Sequence, residues 1–325
     1  GAYTAGAGGL GDLGTTGITI SKTMALKGGY AGYDSGGGTF DWTEASRVMR
    51  STDIDLAGAG TRAFFQETSS HLYKNTLIEG FTFRNADHSL NGGAIGMTAP
   101  YGGGGFQIEN CLFENNKTTG AGGAVYSISS YGPAWIKDCD FVGNQAGNAG
   151  GAVLFEVSGN YGQTVQGCTF QDNSGLLGGG LYVNPSSNTG AAVTVVDCVF
   201  EGNVAATDGG GLFNPNGEGV SPVAVRLCKF IGNSAPQGAA IGGSEYWSGE
   251  YLIENCLITG NTGGFAVMAS GWRVAGDLAM DIAYTTIADN PGGGVYVDRT
   301  WTADLGLRIR DSIIANNGAT GIWYD

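Results

Sequence analysis

Apolar positions in this chain come in short phrases that return at a nearly fixed interval. Ile108, Ile136, Val165, Val195, Val225, Ile253, Ile282 and Ile309 each stand three residues before a second recurring position. Cys111, Cys139, Cys168, Cys198, Cys228 and Cys256 occupy that position, followed by Thr285 and Ser312 in the last two copies. The cysteines are 28, 29, 30, 30 and 28 residues apart, each in the phrase Cys-x-Phe-x-x-Asn, with Ile replacing Phe at the last. The asparagine recurs at Asn116, Asn144, Asn173, Asn203, Asn233, Asn261, Asn290 and Asn317, while an earlier copy starts at Phe81 and carries Ala86 there. A period near 29 with slips of a residue or two is one structural unit copied many times.

Within a unit, Cys and Phe two apart face the same side of a strand. Ile and Cys are three apart and both apolar, so the chain must bend between them. The residue before the cysteine position is Gly80, Asn110, Asp138, Gly167, Asp197, Asn255 or Asp311, with Leu227 and Tyr284 as exceptions. Gly, Asn and Asp tolerate left-handed backbone angles, which predicts a corner. A second phrase follows each asparagine after a spacer of variable length. It reads Gly92-Gly93-Ala94-Ile95, Gly122-Gly123-Ala124-Val125, Gly150-Gly151-Ala152-Val153, Gly178-Gly179-Gly180-Leu181 and Gly209-Gly210-Gly211-Leu212, then Gly238-Ala239-Ala240-Ile241 and Gly292-Gly293-Gly294-Val295. Small residues allow close packing, and the apolar residue opens another strand.

Each unit therefore predicts three short strands and three corners, one coil of an all-β parallel β-helix with 27–30 residues per coil. Parallel crossovers are right-handed by strong preference. Stacked asparagines would form a hydrogen-bonded ladder at one corner. Residues 76–325 are expected to form nine regular coils, a rod about 43 Å long at about 4.8 Å per coil. Residues 1–75 fit the repeat poorly and are expected to add irregular coils, with strands at Ile18-Thr19-Ile20, Ala25-Leu26-Lys27 and Asp53-Ile54-Asp55-Leu56. A long excursion is expected from Gly28 to Met49, with a helical turn in Thr43 to Met49.

Composition narrows the function. The 61 glycines fit many tight turns, and 42% hydrophobic residues give enough apolar surface for a core. Net charge is −14 without a Lys/Arg cluster, which argues against nucleic acid as a partner. No apolar run has the length of a membrane-spanning helix. The chain opens at Gly1 without a signal peptide and reads as a processed or excised segment. Parallel stacking aims the six cysteines alike, a poor arrangement for disulfides, so a buried column of free thiols is expected.

The phrases Phe113-Glu114-Asn115-Asn116 with Gly122-Gly123-Ala124-Val125, and Phe141 to Asn144 with Gly150 to Val153, resemble the repeats of the chlamydial polymorphic outer membrane proteins. Similar repeats occur in many bacterial surface β-helix proteins. The resemblance covers about residues 76–317 and implies an extracellular or cell-surface passenger with an adhesive role. Its motifs are structural and transfer no catalytic residue.

Few residues suggest chemistry. His71 and His88 lie in no metal-ligand spacing, and no metal or cofactor is expected. Asp138 and Asp140 flank Cys139, and Asp197 occupies the position of Asp138 two coils on, about 9.6 Å away. That is within reach of a glycosidase carboxylate pair, although the corner alone explains Asp138 and Asp197. Tyr101, Tyr131, Tyr161, Tyr246, Trp247, Trp272 and Trp301 are expected in an interrupted row along one edge. Such rings either cover apolar corner surface or stack on sugars. Gly321-Ile322-Trp323-Tyr324 reads as a strand with no polar cap after it. Either the chain continues in a longer protein or another copy stacks end to end, building a fibre. A non-enzymatic structural or adhesive surface protein is the leading expectation. A polysaccharide-binding or polysaccharide-degrading β-helix is the alternative.

Overall fold

A computed structural model describes residues 2–4, 18–19, 24–27, 32–33, 40–41, 50, 52–57, 60–67, 76–99, 106–129, 134–157, 162–185, 192–215, 223–243, 251–270, 278–298, 306–318 and 320–324. All regular structure among them is strand. Three long parallel sheets run the length of a β-helix. The Ile sheet has ten strands, such as Phe106–Glu109 and Ala134–Lys137. The Phe sheet has eleven, such as Leu112–Glu114 and Asp140–Val142. The Gly sheet also has eleven, such as Val125–Ser129 and Val153–Val157. A fourth sheet of seven strands, many of two residues, such as Lys117–Thr118, follows the asparagine corner. Sequence patterning predicts three strands per coil and misses this one, because two residues carry no periodicity.

Strand pairing follows the sequence repeat residue for residue. Ile108, Ile136, Val165, Val195, Val225, Ile253, Ile282 and Ile309 are direct partners from coil to coil. Phe83, Phe113, Phe141, Phe170, Phe200 and Phe230 are likewise. Between Ile sheet and Phe sheet the chain turns through one left-handed residue in every coil, from Asn110 (φ 53°) to Asp311 (φ 47°). Leu227 and Tyr284 adopt the same conformation at φ 56° and 53°, so backbone geometry at this corner overrides residue preference. A second left-handed corner precedes each asparagine, at Asn85, Asn115, Gly143, Asp172, Gly202, Gly232, Gly260, Asp289 and Asn316.

Identical side chains stack in the interior. The six phenylalanine rings form one column with centroids 4.6–5.1 Å apart and interplanar angles of 1–19°. Offset stacks of this kind add to area burial. All six cysteines are free and buried. Each thiol meets the carbonyl two residues earlier, as Cys168 Sγ to Gln166 O at 3.2 Å. The Cys111 amide donates to Cys139 Sγ (3.4 Å). Thr285 Oγ1 accepts from the Cys256 amide and Ser312 Oγ from the Thr285 amide, so hydroxyls continue the thiol column. Each asparagine Nδ2 donates to the next asparagine Oδ1, and that oxygen also takes a backbone N–H. At the head of the ladder the Ala86 amide donates to Asn116 Oδ1 (3.2 Å).

Glycine is required where coils touch. A Cβ on Gly123 or Gly151 would overlap the carbonyl oxygen of Gly151 or Gly179 above it. Toward the N-terminus, Ile18–Thr19, Met24–Lys27 and Thr52–Asp55 extend the three long sheets. Within the expected excursion, Gly32–Tyr33 pairs antiparallel with Phe40–Asp41. The stretch expected to hold a helical turn lies outside the described residues.

Candidate functional site

Four residues in Ala134–Lys137 show how the Ile sheet presents chemistry. Ala134 and Ile136 point inward and are buried, while Trp135 and Lys137 project outward and are half-buried. Register places Gln107, Trp135 and Thr164 in one outward row and Glu109, Lys137 and Gln166 in the next. The Trp135 indole N–H donates to Glu109 Oε1 at 2.7 Å, which fixes the ring on the sheet. Glu109, Trp135, Lys137, Thr164 and Gln166 line a shallow cleft of about 330 Å³. Among the described residues Lys137 has no ion-pair partner, whereas Arg226 pairs with Glu254 (2.8 Å) farther along this face. Buried Asp281 lies between Arg308 and Arg310, and those guanidiniums hold its carboxyl below the usual carboxylate range. Charge along the sheet is thus largely matched coil to coil, and the Trp135 cleft is where an ammonium stays available beside an aromatic face.

An indole face with an ammonium, an amide, a hydroxyl and a carboxylate around it can stack on a sugar ring and hydrogen-bond its hydroxyls. The cleft is open and contains no histidine. Trp135 and Gln166 were not singled out by sequence reasoning. The usable signal was a tryptophan at an outward position between inward Ala134 and Ile136. It occurs in one coil, so the repeat does not flag it.

The candidate carboxylates lie beside this cleft, in other roles. Asp138 and Asp197 occupy the left-handed corner at φ 52° and 54°, with the Gly167 coil between them. Asp138 Oδ1 leans over Gly167 and fills the space a Cβ would take there. Asp140 opens its Phe-sheet strand and is ion-paired with Arg50, whose Nη2 also donates to Asp138 O (2.9 Å). Tyr101, Tyr131, Tyr161, Tyr246, Trp247, Trp272 and Trp301 lie outside the described residues, as does His71. His88 is buried, and its Nδ1 accepts the Leu90 amide N–H (3.0 Å). Burial pushes the thiols of Cys111, Cys139 and Cys168 well up from their ordinary range, which keeps them protonated and unreactive. Among the described residues no three His, Cys, Asp or Glu side chains converge as a metal site, and no helix is long and apolar enough to cross a membrane.

A family profile described as right handed beta helix region matches residues 63–248 and 156–325. No curated protein and no solved structure matches the chain. The matched segments cover most of the sequence and coincide with the long parallel sheets, and on both grounds the chain belongs to the right-handed β-helix family.

Proposed function

We propose that the protein is a rigid, non-enzymatic rod, extracellular or on the bacterial surface, that adheres by holding a glycan against the Ile-sheet face around Trp135. The single observation that carries this reading is the cleft that joins the Trp135 ring to Glu109, Lys137, Thr164 and Gln166. Sugar chains present apolar ring faces and hydroxyls in alternation, and a flat sheet with an aromatic platform complements both. A fixed register over ten strands keeps the platform rigid, so little ordering opposes binding. Binding is favoured over cleavage because Asp140 is held by Arg50, while Asp138 and Asp197 serve the backbone corner. The likeness of the Gly-Gly-Ala-Val and Phe-x-x-Asn phrases to bacterial surface repeats supports the location.

Titration with soluble oligosaccharides tests the reading. Binding should quench tryptophan fluorescence in the wild type, and Trp135→Ala should remove that quench and weaken affinity at least tenfold. Unchanged affinity in Trp135→Ala would reject this face.

A further inference from the structure

Strands of the Gly sheet turn alternate residues inward and outward. Val153 and Phe155 belong to the main core, while Leu154 packs in a separate cluster on the outside, and Glu156 shares its face. Register sets two outward rows side by side. Tyr126, Leu154 and Tyr182 form one, and Ile128, Glu156 and Asn184 form the other. The first row is apolar packing: Leu154 is buried with Ala121 and Ala149, and the two tyrosines lie half-buried against them.

The second row departs from the pattern of matched charge seen elsewhere on the rod. Asp140 is paired with Arg50, Glu254 with Arg226, and Asp281 with Arg308 and Arg310. Glu156 is half-buried, yet among the described residues its carboxylate has no hydrogen-bond or ion-pair partner. On the next strand Asn184 Oδ1 is closed off from solvent and accepts no hydrogen bond. Outward partners on neighbouring strands stand about 4.8 Å apart, so the carboxylate and the amide oxygen border one space. Burial raises the Glu156 carboxyl above its usual range, and no cation opposes the effect. Burial, with the Glu156 charge added, also raises the phenols of Tyr126 and Tyr182, the latter to about 12. The carboxylate is therefore within electrostatic reach of both rings.

We propose that this spot on the outer Gly-sheet face is a second binding site, for a primary ammonium carried on a small carbon body, an amino sugar or an aliphatic amine. Its three N–H groups meet the two Glu156 oxygens and Asn184 Oδ1, and the carbon body rests on the tyrosine rings. Ammonium to carboxylate is a charge-assisted bond, aromatic rings attract cations, and a net charge of −14 draws cations to the surface. Water can fill Asn184 Oδ1 but leaves the half-buried carboxylate without a countercharge. A calcium-like ion takes about six or more oxygens, and among the described residues no such group of acidic side chains gathers. A quaternary ammonium brings charge without donors and leaves Asn184 Oδ1 unfilled. Nothing in this assignment depends on the Trp135 face.

Butylammonium, glucosamine and tetramethylammonium serve as probes, read by ligand-observed NMR on the full chain at pH 7 and physiological salt. At least one primary amine should bind with a Kd of about 1–10 mM, the range for ligands of this size, and tetramethylammonium at least tenfold more weakly. Tighter glucosamine marks an amino sugar as the source, and tighter butylammonium an aliphatic amine. Glu156→Gln removes the charge at nearly constant shape and should weaken binding at least tenfold, with a melting temperature unchanged or raised. Asn184→Ala should weaken it at least threefold and reports on the site should Glu156→Gln misfold. Trp135→Ala should leave amine binding intact, which separates this site from the Ile-sheet face. Absent binding of both primary amines, equal affinity for tetramethylammonium, or affinity undiminished in both site variants would overturn the proposal.

Discussion

Replacing one asparagine in the middle of the ladder should cost more than its small size suggests. Asn173 is fully buried, and its Nδ2 donates to Phe141 O and Asn203 Oδ1, each at 3.0 Å. Its Oδ1 accepts from the Asn144 amide at 2.8 Å and from Asn144 Nδ2 at 3.0 Å. Asn173→Ala leaves the Asn144 amide N–H and one of the two Asn144 Nδ2 hydrogens buried without an acceptor, while the other still donates to Phe113 O. At about 1–3 kcal/mol for each orphaned group, the loss centres on about 4 kcal/mol, a large share of a typical folding free energy. Asn173→Asp keeps the acceptor but sets a carboxylate oxygen against Asn203 Oδ1 and Phe141 O, and should cost at least as much at pH 7. Gln145→Ala, one strand residue beyond the neighbouring ladder position and exposed, should cost under about 0.5 kcal/mol. Urea unfolding followed by near-ultraviolet circular dichroism measures all three, with the slope checked for cooperativity. A loss below about 1 kcal/mol for Asn173→Ala, or one equal to that of Gln145→Ala, would mean that the ladder is not what locks the corner.

Other outcomes follow from the same geometry. Leu227→Asn and Tyr284→Asn should each stabilise by about 0.5–1 kcal/mol, because both residues are held left-handed and more than half exposed; a lower urea midpoint would contradict this. Phe170→Ala breaks the ring column between neighbours 4.9 and 4.7 Å away and should cost about 3–5 kcal/mol, measured by the same unfolding curves. The native protein should show no rapid reaction with a thiol reagent, and six thiols should react after denaturation. Because burial raises the folded pKa of Cys111, Cys139 and Cys168, the stability associated with those three thiols is complete below the unfolded value of about 8.5 and declines as pH rises above it. Stability that holds or rises between about pH 8.5 and 10 would argue against protonated buried thiols.

The parts of the fold that sequence reveals are those in which stacked coils force like residues onto like. Ile108, Cys111, Phe113 and Asn116 each have the same partner type in the next coil, so both period and register can be read from spacing. The corner at Asn110 follows from the three-residue Ile-to-Cys interval. The corner before the asparagine was equally readable, since Asn85, Asn115, Gly143, Asp172, Gly202, Gly232, Gly260, Asp289 and Asn316 are all Gly, Asn or Asp. A further copy of the Gly phrase, Gly264-Phe265-Ala266-Val267, escapes detection because Phe265 interrupts the run of small residues, yet Val267 pairs with Ile241 in register. Sites behave differently. Trp135 departs from the repeat in a single coil, and a departure gains meaning only when the neighbouring coils show what the position normally holds.

Quantitative binding to a panel of neutral and uronic-acid polysaccharides, with simultaneous analysis of the sugar products, bears on the proposed function more than any stability experiment. Wild-type protein should bind at least one polysaccharide saturably and release no new chain ends, and Trp135→Ala should bind it at least tenfold more weakly while melting at the same temperature. Appearance of cleaved chains would make the protein an enzyme. Equal binding by wild type and Trp135→Ala, or no binding at all, would remove the Ile-sheet face as an adhesive surface.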